Sequence, residues 1–251
     1  MDKPINIFND VKIIGKGSCF STGYKCTSFY FSLNSTCYLF ECSYDTFQYI
    51  KTHMDEFKQY KQFVIAISHI HEDHVGGLGS FLYWLKYAMN RKRVTVVAPN
   101  ESKIKSYISL VAPSAFDDFS VSIVKNLKAT QYNPIYIFSI LTNHEKNMTC
   151  CGYLVGYSIK KSDIDLQFYY TGDSDSFINT TTNLFNPPQK ISDLLNSNQI
   201  HGLIAEVSLN ESCVHTCFDE YKKTISDLSR VKFVHFNSKA EESAINKQIH
   251  H

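Results

Sequence analysis

The feature that most constrains this chain is an apolar strand that runs directly into a cluster of metal-ligand side chains. Residues 63–67 read Phe-Val-Ile-Ala-Ile, a continuous run typical of a strand that is buried on both faces. His69, His71, Asp73 and His74 follow at once. Two residues apart in extended backbone, the first two histidines point the same way. The adjacent Asp and His need a turn to face the same site.

The residue types in this cluster indicate a metal site. Neutral imidazoles and carboxylates are the ligands that zinc, manganese and iron require. Gly76 and Gly77 follow the cluster and allow the backbone to pass close to a site. The alternative is a solvated polar turn that contains chance histidines. Four ligands in so short a segment disfavour it, so the sequence predicts a metal centre at the end of this strand.

The rest of the chain alternates between strand and helix patterns. Strands are predicted at 11–14, 27–32, 37–41, 63–67, 94–98, 135–141, 153–159, 166–171, 203–206 and 231–234. Helices are predicted at 47–57, 78–85, 102–110, 218–228 and 239–248, where apolar residues recur at helical spacing. No linker rich in Pro, Gly or Ser interrupts the pattern. It predicts one α/β domain over residues 1–251, with packed sheets and helices outside them.

Composition limits the classes of function. Basic and acidic residues are nearly balanced, 25 against 24, which argues against a protein that coats nucleic acid or an anionic membrane. The sequence has no signal-peptide pattern and no run of about 20 apolar residues that could span a membrane. Its eight cysteines form no Cys-x-x-Cys pair and are expected to be reduced, mostly buried thiols of a cytoplasmic protein. They are Cys19, Cys26, Cys37, Cys42, Cys150, Cys151, Cys213 and Cys217.

The His-x-His-x-Asp-His run at 69–74 resembles the signature of the metallo-β-lactamase superfamily, in which it closes a strand. The remaining ligands of that family can be assigned, in order, to His144, Asp173 and His235. Each follows a predicted strand, so these side chains can converge on one rim. The resemblance implies an αββα sandwich of two mixed β-sheets flanked by helices.

The resemblance also implies how the ligands divide. The first metal would be held by His69, His71 and His144, and the second by Asp73, His74 and His235, with Asp173 bridging. The two divalent ions would be zinc, with manganese or iron as alternatives. Two such ions, about 3.5–4 Å apart, activate water and stabilise the oxygens of an in-line displacement. Glu41 stands where many relatives have Asp, a departure that affects only the support of the ligands.

The spacings from His74 to His144 and from Asp173 to His235 are similar to those of the tRNase Z branch of phosphodiesterases. The segment 235–238, His-Phe-Asn-Ser, is similar to the closing pattern of that branch. The short interval between His144 and Asp173 leaves no room for that enzyme's RNA-gripping arm. Size and ligand layout most resemble the compact, phage-encoded anti-Pycsar phosphodiesterases. That resemblance implies a homodimer that hydrolyses 3′,5′-cyclic nucleotides to nucleoside monophosphates and thereby counters an antiphage defence.

Three residues are candidates for catalysis: Asp73, His215 and Glu206. In the tRNase Z branch, a His near the position of His215, oriented by a Glu, protonates the leaving oxygen. The sequence leaves open a second interpretation, in which His215 only caps the following helix. His53 and His201, in a predicted helix and a loop, are interpreted as surface residues.

The leading hypothesis is therefore a metal-dependent cyclic-nucleotide phosphodiesterase that acts on a small substrate, without a membrane partner or a stable nucleic-acid complex. The alternative is a tRNase Z-like endonuclease that processes RNA 3′ ends. Thioester or lactam hydrolysis is disfavoured by His215 and by the 235–238 pattern. A non-catalytic interaction protein is disfavoured because all seven ligands are present.

Overall fold

The structure is a computed structural model and describes residues 5–90, 93–116, 120–129, 134–158, 163–178, 180–210 and 214–249. The strands are β1 (Lys12–Gly15), β2 (Gly17–Thr22), β3 (Ser28–Leu33), β4 (Thr36–Phe40), β5 (Gln62–Ala66), β6 (Arg93–Val97), β7 (Ser120–Val124), β8 (Ile135–Thr142), β9 (Cys150–Tyr157), β10 (Asp165–Tyr170), β11 (Thr181–Thr182), β12 (Gln189–Lys190), β13 (Ile200–Glu206), β14 (Val231–Val234) and β15 (Phe236–Ser238). The helices are α1 (Ile7–Asp10), α2 (Tyr44–Thr52), α3 (Met54–Phe57), α4 (Glu72–Val75), α5 (Leu78–Tyr87), α6 (Glu101–Val111), α7 (Ile191–Asn196), α8 (Phe218–Thr224) and α9 (Lys239–Ile249).

Within these described ranges, two large sheets form. The first has the strand order β1-β3-β4-β5-β6-β7, and the second has the order β14-β13-β10-β9-β8. Strands β4 to β7 are parallel, whereas β1, β3 and β4 pair antiparallel. In the second sheet, β10 pairs parallel with β13 and antiparallel with β9. Both sheets are therefore mixed.

The alternation of side chains along β4 and β5 explains why these strands are apolar throughout. Tyr38 and Phe40 belong to the core between the sheets, and Leu39 belongs to a second core on the opposite face. Likewise, Val64 faces the inner core and Ile65 faces the outer one. Successive strand residues point to opposite faces, so a strand that is covered on both sides must be apolar at every position.

Helices cover the outer face of each sheet. Residues of α2, α5 and α6 complete the core on the first sheet, and residues of α7, α8 and α9 complete the core on the second. The middle core is strongly aromatic: the rings of Phe29 and Phe40 stack at 4.6 Å, and Tyr170 meets Phe29 edge-on at 5.0 Å. The layers are helix, sheet, sheet, helix, which confirms the predicted αββα sandwich.

Some predicted element boundaries are wrong. The helix predicted at 47–57 is divided between α2 and α3 at His53, whose ring stacks on Tyr49 at 4.0 Å. The helix predicted at 218–228 ends at Thr224 and is followed by a separate short 3₁₀ turn. His201 lies in β13 and not in a loop; its Nε2 is 3.1 Å from Asp165 Oδ1. Strand β9 begins earlier than predicted, at Cys150.

The cysteines follow the prediction in part. Among the described cysteines, all are free thiols; Cys37, Cys42, Cys150 and Cys151 are buried, whereas Cys19 is exposed. Ile159, at the end of the strand predicted at 153–159, and Cys213 lie outside the described residues. A search of the described residues finds no helix with the length and apolar character needed to cross a membrane.

Candidate active site

The candidate ligands meet at one edge of the sandwich because each follows a strand. The segment 69–74 comes after β5, His144 after β8, Asp173 after β10 and His235 after β14. Parallel strands end at the same edge of a sheet, and the two sheets lie face to face. The fold therefore brings together four segments that are distant in the sequence.

Local backbone geometry turns these side chains inward. Asp73 and His74 lie on the single-turn helix α4, and both are buried. Before Asp173, Gly172 adopts φ +58°, and a Cβ there would lie 2.3 Å from the carbonyl oxygen of Cys151. Only glycine satisfies both conditions without strain. His235 itself has φ +70°, which breaks the strand between β14 and β15 and marks a constrained position.

Asp173 is the centre of the cluster. Its Oδ2 lies within 4 Å of four imidazole Nε2 atoms: His69 at 3.9 Å, His74 at 3.5 Å, His144 at 3.6 Å and His235 at 3.3 Å. One carboxylate oxygen that faces imidazoles on both sides has the position expected of a ligand shared by two cations.

The side chains form two groups around this carboxylate. His69, His71 and His144 can present ligand atoms within 4.8 Å of one another, as can Asp73, His74 and His235. His69 Nε2 is 2.9 Å from His71 Nδ1. Asp73 Oδ2 is 3.4 Å from Nε2 of both His74 and His235. The structure thus brings together all seven residues that the sequence indicated, grouped as the resemblance implies.

Unsatisfied buried atoms show that the donor set suits cations. His74 Nδ1 and Nε2, His235 Nε2 and Asp173 Oδ1 are buried without a hydrogen-bond partner. Such atoms are costly to bury unless a ligand or an ion satisfies them. Mixed imidazole and carboxylate donors are also the set that zinc-type ions prefer. The residues present therefore fit a pair of divalent metal ions.

The pKa directions of His69 and Asp173 agree with this arrangement, whereas the pKa of His74 is raised, against the effect of burial, by the Asp173 and Glu41 carboxylates. Burial lowers the pKa of His69 well below its ordinary value and so favours the neutral imidazole. Burial opposes ionisation of Asp173, but the neighbouring His235 and His74 hold the pKa of this carboxyl well below its usual range. Metal ligation requires both of these forms, the neutral imidazole and the carboxylate.

Outer contacts orient the ligands. Ser68 Oγ is 3.0 Å from His69 Nδ1, and His144 Nδ1 donates to the Val214 carbonyl at 2.8 Å. His71 Nε2 lies 2.8 Å from Glu145 Oε2, which turns its Nδ1 towards the cluster. Glu41 lies on the far side of His74, 3.5 Å from its Nδ1. The hydrogen-bonding partners Ser68, Val214 and Glu145 fix the tautomer and direction of the histidines they contact, whereas Glu41 makes no hydrogen bond to His74. The sequence analysis missed Glu145, although it adjoins His144.

Beside the cluster lies a pair formed by Glu206 and His215. The carboxylate is buried at the end of β13 and accepts hydrogen bonds from the backbone N–H groups of Ser174 and Thr216 at 2.9 and 3.1 Å. His215 Nδ1 is 2.6 Å from Glu206 Oε2. Helix α8 begins beyond this pair, and its N-cap residue, Cys217, makes no side-chain capping bond. His215 thus lies two residues before the N-cap of α8, with its Nδ1 directed to Glu206, and its role as an acid stays a prediction.

A cavity of about 660 Å³ opens over these residues, within the range that holds small organic ligands. His71, His144, Asp173, His215 and His235 lie on its wall. The described lining also includes Ser18, Cys19, Phe20, Glu72, Glu145 and Asn237, and contains no Lys or Arg. Sequence reasoning missed the residues of β2, because no local pattern connects residue 20 with residue 235.

Comparison with known proteins adds the family. The family model described as anti-Pycsar protein Apyc1 matches residues 10–250. No curated protein matches the chain by sequence.

Solved structures share the fold at low sequence identity. The fold is similar to the metallo-β-lactamase fold protein YhfI of Bacillus subtilis, with a TM-score of 0.64 and 15% identity over 95% of this chain and 92% of that one. A diphosphatase of the PhnP family gives a TM-score of 0.65 and 13% identity over 95% of this chain and 90% of that one. The short form of human tRNase Z gives a TM-score of 0.64 and 14% identity over 92% of this chain and 93% of that one. At these identities the likeness establishes the metallo-β-lactamase fold alone.

Proposed function

The chain belongs to the anti-Pycsar Apyc1 family, and we propose that it is a two-metal phosphodiesterase. Its reaction opens 3′,5′-cyclic nucleotides to linear nucleoside monophosphates. In this proposal it acts against a bacterial defence that signals through cyclic nucleotides. The observation that carries the chemistry is the Glu206–His215 pair, which lies directly beside the Asp173-centred cluster, with His215 on the wall of the same cavity.

Hydrolysis of a cyclic phosphodiester breaks one P–O bond and releases a sugar oxygen. An alkoxide is a poor leaving group and departs more readily when a positioned acid protonates it. His215 can supply that proton from Nε2, because its Nδ1 is directed to Glu206. Glu206 acts as a positioning residue, since two backbone N–H groups fix its other oxygen.

The seven ligand residues would hold the two cations. When bound, the cations would supply Lewis-acid activation of water and neutralise charge on the phosphoryl oxygens. The Asp73 carboxylate also lines the cavity and can accept a hydrogen bond from the attacking water. His69 and His74 are buried, so bulk water has little access to that side of the cluster.

Charge around the cavity favours a small substrate over RNA. Glu72 and Glu145 line it, and the described lining includes no Lys or Arg. A polyanion needs a positive track along its phosphates, whereas a cyclic mononucleotide carries a single negative charge that the metals can balance. This supports the cyclic nucleotide over the tRNase Z-like alternative.

The test is to incubate the metal-loaded protein with cyclic AMP, GMP, CMP and UMP, and separately with a precursor tRNA that carries a 3′ trailer. Chromatography should show linear monophosphates and little RNA cleavage. Asp165→Asn, which removes an exposed carboxylate on β10 remote from the cavity, is the control and should retain turnover. Cleavage of the RNA without turnover of any cyclic nucleotide would favour the endonuclease.

We further propose a homodimer in the cytoplasm, as the sequence resemblance and the free thiols suggest. Light scattering on the active, metal-loaded protein should give twice the mass of one chain. A fully active monomer would contradict the dimer and leave the catalytic proposal intact.

A further inference from the structure

The rim of the cavity carries an exposed aromatic ring that the mechanism does not use. Phe20, on β2, is 83% exposed, and among the described residues it is the one phenylalanine in the set of exposed large hydrophobic side chains. A single exposed apolar residue is ordinary on a protein surface. This one, however, lines the same cavity as Asp173 and His215.

The backbone that carries this ring is fixed relative to the metal cluster. Strand β2 pairs with β15, the strand that follows His235, through Gly17 with Phe236 and Thr22 with Ser238. Ser18 Oγ donates to Asn237 Oδ1 at 2.6 Å, and the Phe20 N–H donates to the same Ser18 oxygen at 3.3 Å. The backbone at Phe20 is therefore held in a set position relative to the candidate ligands.

The cavity offers few other means of holding a nucleobase. Its described lining has no Lys or Arg side chain, and its apolar part includes Val207 and Val214. Every nucleobase has a π-face, and stacking on an aromatic side chain is a general way to bind one. A ring displayed towards solvent at the cavity edge can stack on a base while the phosphate lies over the cluster.

We propose that Phe20 is the stacking surface for the nucleobase and thereby selects cyclic phosphodiesters that carry a planar base. The inference rests on the proposed function and adds to it the residue that recognises the base. It predicts that removal of the ring impairs substrates with a base far more than the same cyclic phosphate without one.

The test compares cyclic AMP with 1-deoxyribose 3′,5′-cyclic phosphate, which presents the same phosphodiester and 2′-hydroxyl without a base. In Phe20→Ala and Phe20→Leu, the ratio of kcat/KM for the two substrates should fall by about 5- to 100-fold, mainly through KM for cyclic AMP. Phe20→Trp should preserve the ratio, because it restores a planar ring. Leu110→Ala, which truncates an equally exposed (83%) apolar side chain on α6, is the matched control.

A direct readout keeps the two proposals distinguishable. In Phe20→Trp, adenosine monophosphate should quench the new tryptophan emission by stacking. An unchanged kcat/KM ratio in Phe20→Ala would overturn the role of Phe20. This holds whether both substrates lose turnover equally or the solution mass of the protein changes. If the wild-type protein hydrolyses no cyclic nucleotide, the proposed function fails. Absence of quenching would then reject the stacking surface as well.

Discussion

Replacing His215 by Ala tests the proton donor directly and should lower kcat on cyclic nucleotides by about 10²–10⁴-fold, the usual contribution of a positioned acid. That loss corresponds to about 2.7–5.4 kcal/mol of transition-state stabilisation. The His215 side chain is 25% exposed, so its removal admits water and leaves no sealed void. Glu206 keeps its two backbone donors, and the loss of its hydrogen bond to His215 costs about 1–3 kcal/mol, which leaves the protein folded.

The assay compares two leaving groups. Bis(p-nitrophenyl) phosphate releases p-nitrophenolate, which departs without protonation, so the loss in His215→Ala should be much smaller on this substrate than on cyclic AMP. Metal content, measured by elemental analysis, should be unchanged. The matched control is His201→Ala: this histidine also pairs with a carboxylate and lies on the strand that carries Glu206, but at its opposite end.

Equal losses on both substrates would refute the role of His215 as an acid, because a merely structural defect does not depend on the leaving group. A loss of bound metal in His215→Ala would refute it in another way, since the residue would then act through the ligands.

Three further predictions concern the metal centre and stability. Elemental analysis of the native protein should give two divalent ions per chain. Asp173→Asn alters the carboxylate between four imidazoles and should reduce the metal content to fewer than one ion per chain. Undiminished metal in that variant would contradict the shared-ligand geometry. Glu145→Gln should weaken metal binding by about 10–100-fold through His71, as measured by competition with a chelator, whereas Glu101→Gln on α6, the control, should not. Hydrogen bonds from Lys12 and Tyr30 hold the pKa of Glu56 below its ordinary 4.5, so its contribution to stability is present above that value and is lost as the pH falls through the lower, folded-state pKa. In urea unfolding, Glu56→Gln should therefore be less stable than wild type at about pH 7, by at most about 1 kcal/mol for so exposed a pair. The difference should shrink as the pH falls below the ordinary pKa of 4.5, and a difference that grows on acidification would refute this assignment.

The sequence was sufficient for those parts of the site that depend on local pattern. A strand covered on both faces must be apolar at every position, so β5 could be recognised without knowledge of its neighbours. The identity of the ligand side chains and their placement after strands indicated the metal centre, because ligand chemistry belongs to residue type. The alternation of strands and amphipathic helices likewise indicated the layered fold.

Helix boundaries were less predictable, because local contacts compete with periodicity. The apolar spacing from Phe47 to Phe57 continues through His53, yet α2 ends there and the chain begins a new turn. Apolar spacing records which face is buried, and two short helices can bury the same face as one long helix.

The tertiary structure alone decided what surrounds the ligands. Ser18 contacts Asn237 across 219 positions of sequence, and this pairing of β2 with β15 sets Phe20 at the cavity. His71 meets Glu145, and His215 meets Glu206, because the order of strands in two sheets determines which loops share an edge. Sequence patterns repeat within a few residues and report burial and chemistry, whereas contacts between distant loops arise only when the sheets assemble and pack.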